Sequence, residues 1–285
     1  MESSKTFFVT GMTGNQGSAV AKSLLNKGYR VIGLTRKPDS EKAERFRNLG
    51  AEIVSGDLND INTYEKHLDR AHGVFGLTTY VNGIDKELRQ AIQLIDLAKK
   101  KGIKHFLYSS VSGCDLNTGI PHWEVKHKIE EHVKSSGLPF TIIRPVSFYQ
   151  NFLFPQVSSR INKGKLVTPT AATKTMQFIS TDDIGPITVK IFENPQQYLG
   201  KTITIGTEQM DMKKVAETFS KVLGRQISYQ KLPGFITRLA MGKNLHKMFN
   251  WCNNNDCVFI KDLGSVKTEF RGMTPMDQWI KQHFT

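Results

Sequence analysis

The stretch TFFVTGMTGNQGSAVAKSLL, from Thr6 to Leu25, limits the fold more than any other part of the chain. A short apolar run enters a loop with Gly11, Gly14 and Gly17 at three-residue spacing, and the loop opens an amphipathic helix. Glycines so placed allow a tight turn, close approach of backbone to a phosphate, and close helix–strand contact; a helix N-terminus adds amides and a positive dipole end. With Thr13, Asn15 and Gln16 completing the loop, the stretch predicts the pyrophosphate turn of a dinucleotide site.

The pattern that follows extends the same architecture. Strand-like runs at TFFVTG, YRVIGLTR, AEIVSGD, GVFGLTT, KHFLYSS and PFTIIRP alternate with helical segments GSAVAKSLLNKG, DKELRQAIQLIDLAKKKG and EVKHKIEEHVKSSG, each closed by a glycine suited to a left-handed cap. This predicts an α/β fold, a Rossmann-type doubly wound parallel sheet over residues 1–150. Residues 151–285 are expected to form a smaller C-terminal α+β lobe, partly interleaved with the sheet and covering a cofactor and substrate cleft. In that lobe Asp183 and Pro186 suit a helix start, and DMKKVAETFSKVLG places Met212, Val215, Ala216, Phe219 and Val222 on one face.

Successive strand ends supply the cofactor contacts. Arg36, followed by Lys37, stands where an NAD protein would carry an acid for the ribose hydroxyls. A guanidinium there pairs with a 2′-phosphate, worth about 1.5–3 kcal/mol, or roughly ten- to hundredfold in favour of NADP(H). Asp57 and Leu58 end the third strand, where a carboxylate can accept the adenine amino group while the leucine covers the ring. Thr78, Thr79 and Tyr80 follow the fourth, beside the path of the cofactor.

Composition bounds what else the chain can be. Its 285 residues, 39% of them hydrophobic, suffice for a sizeable core, and no run of 18 apolar residues suggests a membrane span. The N-terminus enters a strand almost at once, so a cytoplasmic location is expected, with the nucleus as a second compartment. Three cysteines cannot pair completely, and the two in CNNNDC lack a second ligand pair, so no metal site is expected. The net charge of +13 is spread along the chain without a nucleic-acid signature; it suits an acidic cofactor or partner protein better than direct nucleic-acid binding.

The segment HWEVK, His122 to Lys126, lies where a short-chain reductase carries Tyr-x-x-x-Lys, with His in place of Tyr. An imidazole has an ordinary pKa of about 6.5, but a neighbouring ammonium favours the neutral ring, a poorer acid. Loss of one general acid costs about 10²–10⁴ in rate. His122 and Tyr149 are therefore candidate proton donors and Lys126 their candidate partner, with Ser109, Ser110 and Tyr80 nearby; Tyr108 should alternate to the other face of its strand and pack.

VTGMTGNQGSAVAKSLL, RVIGLTRKP, GDL, HWEVK, RPVSFYQNFL, STDDIGP and TPMDQWIKQHF together resemble the NmrA-like family of atypical short-chain dehydrogenases over essentially the whole chain. The resemblance implies NADP(H) across the glycine loop, Arg36 on its 2′-phosphate, Lys126 on the nicotinamide ribose, and Pro145 with Ser147, Phe148, Tyr149, Gln150 and Asn151 against the nicotinamide end. It implies either a redox sensor that reads NADPH occupancy and engages regulatory protein partners, or an NADPH-dependent reductase of a quinone or other small aromatic or carbonyl substrate.

Overall fold

The six apolar runs form parallel strands in the computed structural model, which describes residues 5–285: β1 (Thr6–Val9), β2 (Arg30–Thr35), β3 (Glu52–Ser55), β4 (Gly73–Gly76), β5 (His105–Ser109) and β6 (Phe140–Pro145). Their order across the sheet is β3-β2-β1-β4-β5-β6, with Lys201–Ile205 adding a seventh strand beside β6. The order reverses between β1 and β4, which is where open α/β sheets bind ligands. Helices α1 (Asn15–Asn26), α2 (Glu41–Asn48), α3 (Glu65–Leu68), α4 (Ile84–Lys100) and α5 (Pro121–Ser135) lie along the connections. After α1, α4 and α5 the chain turns at Gly28, Gly102 and Gly137, all with φ between 66° and 80°. Only glycine enters that region without strain.

Two units divide the chain. The first holds residues up to Asp115, His122–Arg144 and Thr181–Ile203; the second holds Leu116–Pro121, Pro145–Ser180 and Thr204–Thr285. The division is thus discontinuous rather than a single boundary at residue 150. Residues 181–203 return to the first unit and bring a helix, Ile184–Glu193, against α1. Asp183 precedes that helix as expected, but its side chain does not cap the helix amides. Gly185 sets the approach, since a Cβ there would fall 2.3 Å from Ala19 O.

One face of the main sheet buries Phe8, Val74, Phe106 and Ile142 against Ala91, Leu94, Ile95, Ile129 and Val133 of α4 and α5. Each large side chain so buried contributes about 1.5–3 kcal/mol. The second unit has its own core, in which Tyr149, Phe152, Phe178, Phe219 and Trp279 pack together. Around it lie a sheet of Ser147–Phe148, Thr175–Ile179 and Glu208–Asp211, and a parallel pair, Lys165–Thr168 with Ser228–Lys231. Helix Met212–Leu223 buries Met212, Val215, Ala216 and Phe219, while Val222 is partly buried. Asp211 caps its start and left-handed Gly224 its end.

His105 on β5 gives the first unit an acid-sensitive point. Thr141 donates its proton to Tyr198 O at 2.8 Å and so accepts one from His105 Nε2, also at 2.8 Å. The other ring nitrogen, Nδ1, is buried with no partner among the described residues. Burial, assisted by His72, lowers the imidazole pKa to about 4. The unfolded chain, with the ordinary value of about 6.5, then binds a proton the folded chain refuses. The stability contributed by the neutral ring is complete above pH 6.5 and is lost as pH falls towards 4. Thermal melts between pH 7 and pH 4 should show this loss, and His105→Gln should make the slope shallower; an identical slope in the variant would refute the assignment.

Candidate functional site

The glycine loop is built by three different geometries. Gly11 is left-handed, with φ +67°, and its carbonyl accepts the Gly14 amide proton at 2.9 Å. Gly17 lies so close beneath that a Cβ would sit 2.2 Å from Gly11 O and 2.8 Å from Met12 N. Gly14 is the N-cap of α1 and offers no capping side chain, and the first turn carries no acid. The helix amides and their partial positive charge are therefore left for an external anion. Met12 anchors the loop: it is fully buried against Gly33, where a Cβ would fall 2.1 Å from its sulfur. Thr13 and Gln16 are half-buried and Asn15 exposed. Ser109 Oγ, at the end of β5, donates to Gln16 Oε1 at 2.7 Å. Thr10 spans the switch point, donating to Leu77 O at 2.9 Å and accepting from Leu77 N–H at 2.7 Å.

At the end of β2, Arg36 and Lys37 are exposed, and neither side chain makes a hydrogen bond or ion pair among the described residues. The Lys37 backbone is fixed, its amide donating to Thr35 Oγ1 and its carbonyl accepting from Ser40. Asp57 Oδ1 turns back to accept the Asn59 amide proton at 2.9 Å. Leu58 is half-buried and packs on the core of the first unit, so its side chain is not free simply to cover a ring. Thr79 is exposed, whereas Thr78 is buried.

Below these strand ends lies a buried charge cluster that the sequence reading missed. Lys126 Nζ contacts Thr78 O at 2.8 Å, Tyr108 Oη and Glu87 Oε1 at 3.0 Å each, and Ser109 O at 3.3 Å. Tyr108 and Thr78 hydroxyls meet at 3.1 Å, and Thr78 Oγ1 donates to Glu87 Oε1 at 3.2 Å. The directions close a ring: lysine donates to tyrosine, tyrosine to threonine, and threonine to the carboxylate. Glu87 is wholly buried, and its Oε2 has no partner among the described residues. Burial works against the Lys126 charge, but Tyr108 and Glu87 outweigh it and hold the ammonium above its ordinary pKa. The same burial pushes Tyr108 up, against the pull of Lys126.

Tyr108 does pack in the core, but its hydroxyl reaches the lysine, because α4 and α5 cover that face of the sheet. Lys126 points its charge at Glu87, Tyr108 and two backbone carbonyls. His122 is only 7% exposed, with its ring 4.7 Å from Tyr80 and tilted 33° to it. Tyr80 is half-buried, and burial followed by the Glu87 charge raises its pKa. Further along α5, Glu130 takes two bonds from Arg144, at 2.9 and 2.5 Å, and one from the Cys114 thiol at 3.1 Å. These bonds tie α5 to β6.

The remaining expected residues belong to the second unit. Tyr149 is a core side chain, fully buried against Phe178 and Trp279, and its hydroxyl donates to Glu208 Oε2 at 3.0 Å. That burial removes it as an accessible proton donor. Pro145 is buried, Phe148 and Gln150 are half-buried and Asn151 is exposed; Gln150 Nε2 donates to Ser180 Oγ at 3.0 Å. Among the described residues no group of histidine, cysteine and acidic side chains is placed to hold a metal. No helix among them is long and apolar enough to cross a membrane.

A glycine-cradled helix start at the switch point of a 3-2-1-4-5-6 sheet defines a Rossmann-like dinucleotide-binding protein. Residues 3–280 match the NmrA-like family, and the chain belongs to that family. It is 32% identical over 299 residues to the NmrA-like family domain-containing oxidoreductase malD of Malbranchea aurantiaca, covering 91% of this chain and 87% of that one. Its fold is shared with NmrA, a negative transcriptional regulator, solved in complex with NADP (TM-score 0.83, 20% identity, 99% and 96% of the two chains). It is likewise shared with the NADPH-dependent quinone oxidoreductase QOR2 of Escherichia coli, solved with NADPH (TM-score 0.83, 17% identity, 98% and 100%).

Proposed function

We infer that this chain binds NADP(H) and works as an occupancy sensor that engages a regulatory protein partner in the cytoplasm or nucleus. Cofactor binding is supported by the loop: Gly17 leaves a cradle that a Cβ would fill, and α1 presents amides without a capping side chain. Preference for the phosphorylated cofactor is supported by Arg36 and Lys37, two cations without side-chain partners at the strand end where the ribose is expected. When bound, such a cofactor supplies hydride chemistry. The protein's contribution to the proton is weak. The observation that carries the sensor reading is the state of HWEVK, where the ammonium of Lys126 is committed to Glu87, Tyr108 and backbone carbonyls and a buried His122 stands in the acid position.

A second reading, an NADPH-dependent reductase, is favoured by the relatives named as oxidoreductases. A quinone acceptor suits it, because a quinol can take its protons from water and needs no protein acid. Calorimetry with NADPH, run beside NADPH oxidation with quinone and aldehyde substrates, separates the two. Micromolar binding with turnover below about 0.01 per second is expected for the sensor, against about 10 per second for an ordinary enzyme. Arg36→Ala should weaken NADPH about ten- to hundredfold and leave NADH nearly unchanged. Equal losses for both cofactors would remove the 2′-phosphate assignment.

A further inference from the structure

Cys252 and Cys257 lie in the second unit and are not among the residues assigned to the cofactor. Cys252 is near the end of the helix Gly234–Asn254 and Cys257 stands beside the strand Thr175–Ile179. Both are buried, and the Cys257 thiol meets Cys252 Sγ at 2.6 Å. Each is held in place by its own set of bonds. Next to Cys252, Asn253 Oδ1 accepts from the Ala171 amide at 2.5 Å and its Nδ2 donates to Pro169 O at 3.0 Å. Cys257 N–H donates to Thr175 O at 2.9 Å and its carbonyl accepts from Gln177 N at 3.2 Å, while Asp256 Oδ1 accepts from Thr175 N at 2.9 Å. Of the four residues between them, Asn254, Asn255 and Asp256 are exposed, so a local opening of that turn admits a small reagent.

We propose that Cys252 and Cys257 are a reversible dithiol–disulfide site that exchanges with low-molecular-weight disulfides of the glutathione class. One cysteine thiolate attacks the disulfide, forming a mixed disulfide and releasing one small thiol. The second cysteine then attacks the protein sulfur of that adduct, forming the Cys252–Cys257 bond and releasing the other. The protein loses two electrons and two protons, and the small disulfide is reduced to two thiols. The product clamps the helix end to the strand it already touches, so closure needs little rearrangement. Cys114 is an internal control: its neighbours are Ser110 and Glu130 rather than another sulfur, so it has no partner for the second exchange.

The test equilibrates the full chain with glutathione buffers of rising oxidised fraction, quenches in acid, denatures, labels with N-ethylmaleimide and weighs the intact protein. The reduced chain should take a label on each of its three cysteines. The oxidised chain should take one label, on Cys114, weigh two hydrogens less before labelling, and yield a Cys252–Cys257 linked peptide. Excess reduced glutathione should restore all labels. Cys257→Ser cannot close the ring and should retain one glutathione on Cys252. Three labels under fully oxidising conditions, or stable glutathione adducts on the unsubstituted chain in place of the linked peptide, would overturn the proposal.

Discussion

Lys126→Ala is expected to destabilise the protein by about 3–5 kcal/mol, the cost of leaving a buried carboxylate without its counter-charge. Glu87 has no exposed surface, and its second oxygen already lacks a partner among the described residues, so removal of the ammonium strands the whole charge. Against a total stability of about 5–15 kcal/mol this is a large fraction. The cost belongs to the broken pair, not to the intact one, so Lys126→Met combined with Glu87→Leu should regain most of it. Urea unfolding of the wild type, the single variant and the double variant measures both the loss and its recovery. A loss below about 1 kcal/mol in Lys126→Ala would mean that water reaches Glu87.

Gly17→Ala should abolish NADPH binding, with an expected loss of more than about a hundredfold, since backbone shifts of this kind remove several aligned donors at once. Its new methyl would stand 2.2 Å from Gly11 O and 2.8 Å from Met12 N, both backbone atoms, so the loop and helix must separate. Gly14→Ala is the informative contrast. There the Cβ meets only Gly11 O, at 3.3 Å, and φ is an ordinary −98°, so the fold should lose less than about 1 kcal/mol. Calorimetry for binding and thermal melts for stability separate the two positions. Undiminished NADPH binding by Gly17→Ala would show that the loop is not the phosphate cradle.

The loop and the succession of strands and helices were legible because they depend on local rules. Glycine spacing, strand-length apolar runs and terminal glycines each act within a few residues, and all six runs became strands of the main sheet. The exposed place of Arg36 just after β2 was legible because a strand end needs only its register. Glu87 was not: on an amphipathic helix flanked by Asp85, Lys86 and Arg89 it reads as one more surface charge. A signal did exist, since Glu87 shares its stripe with Ala91, Leu94 and Ala98 at helical spacing, all buried. An acid in register with an apolar stripe should prompt a search for a buried cation. Tyr108 packs as expected, but the link from its hydroxyl to Lys126 was not legible. The alternation argument assumes that one face of a strand is wet, whereas all of His105–Ser109 is buried. Tyr149 was expected at the nicotinamide end from the resemblance alone, and only long-range packing against Phe178 and Trp279 places its side chain in a core.

The chain passes between its two units five times before it ends. During synthesis, therefore, the N-terminal sheet cannot finish folding when its sixth strand emerges. The helix that meets α1 at Gly185 and the edge strand Lys201–Ile205 are still inside the ribosome, and the apolar flank of α1 stays wet until they appear. A nascent chain of this topology carries an unfinished surface through most of its elongation, the interval in which chaperones would recognise it.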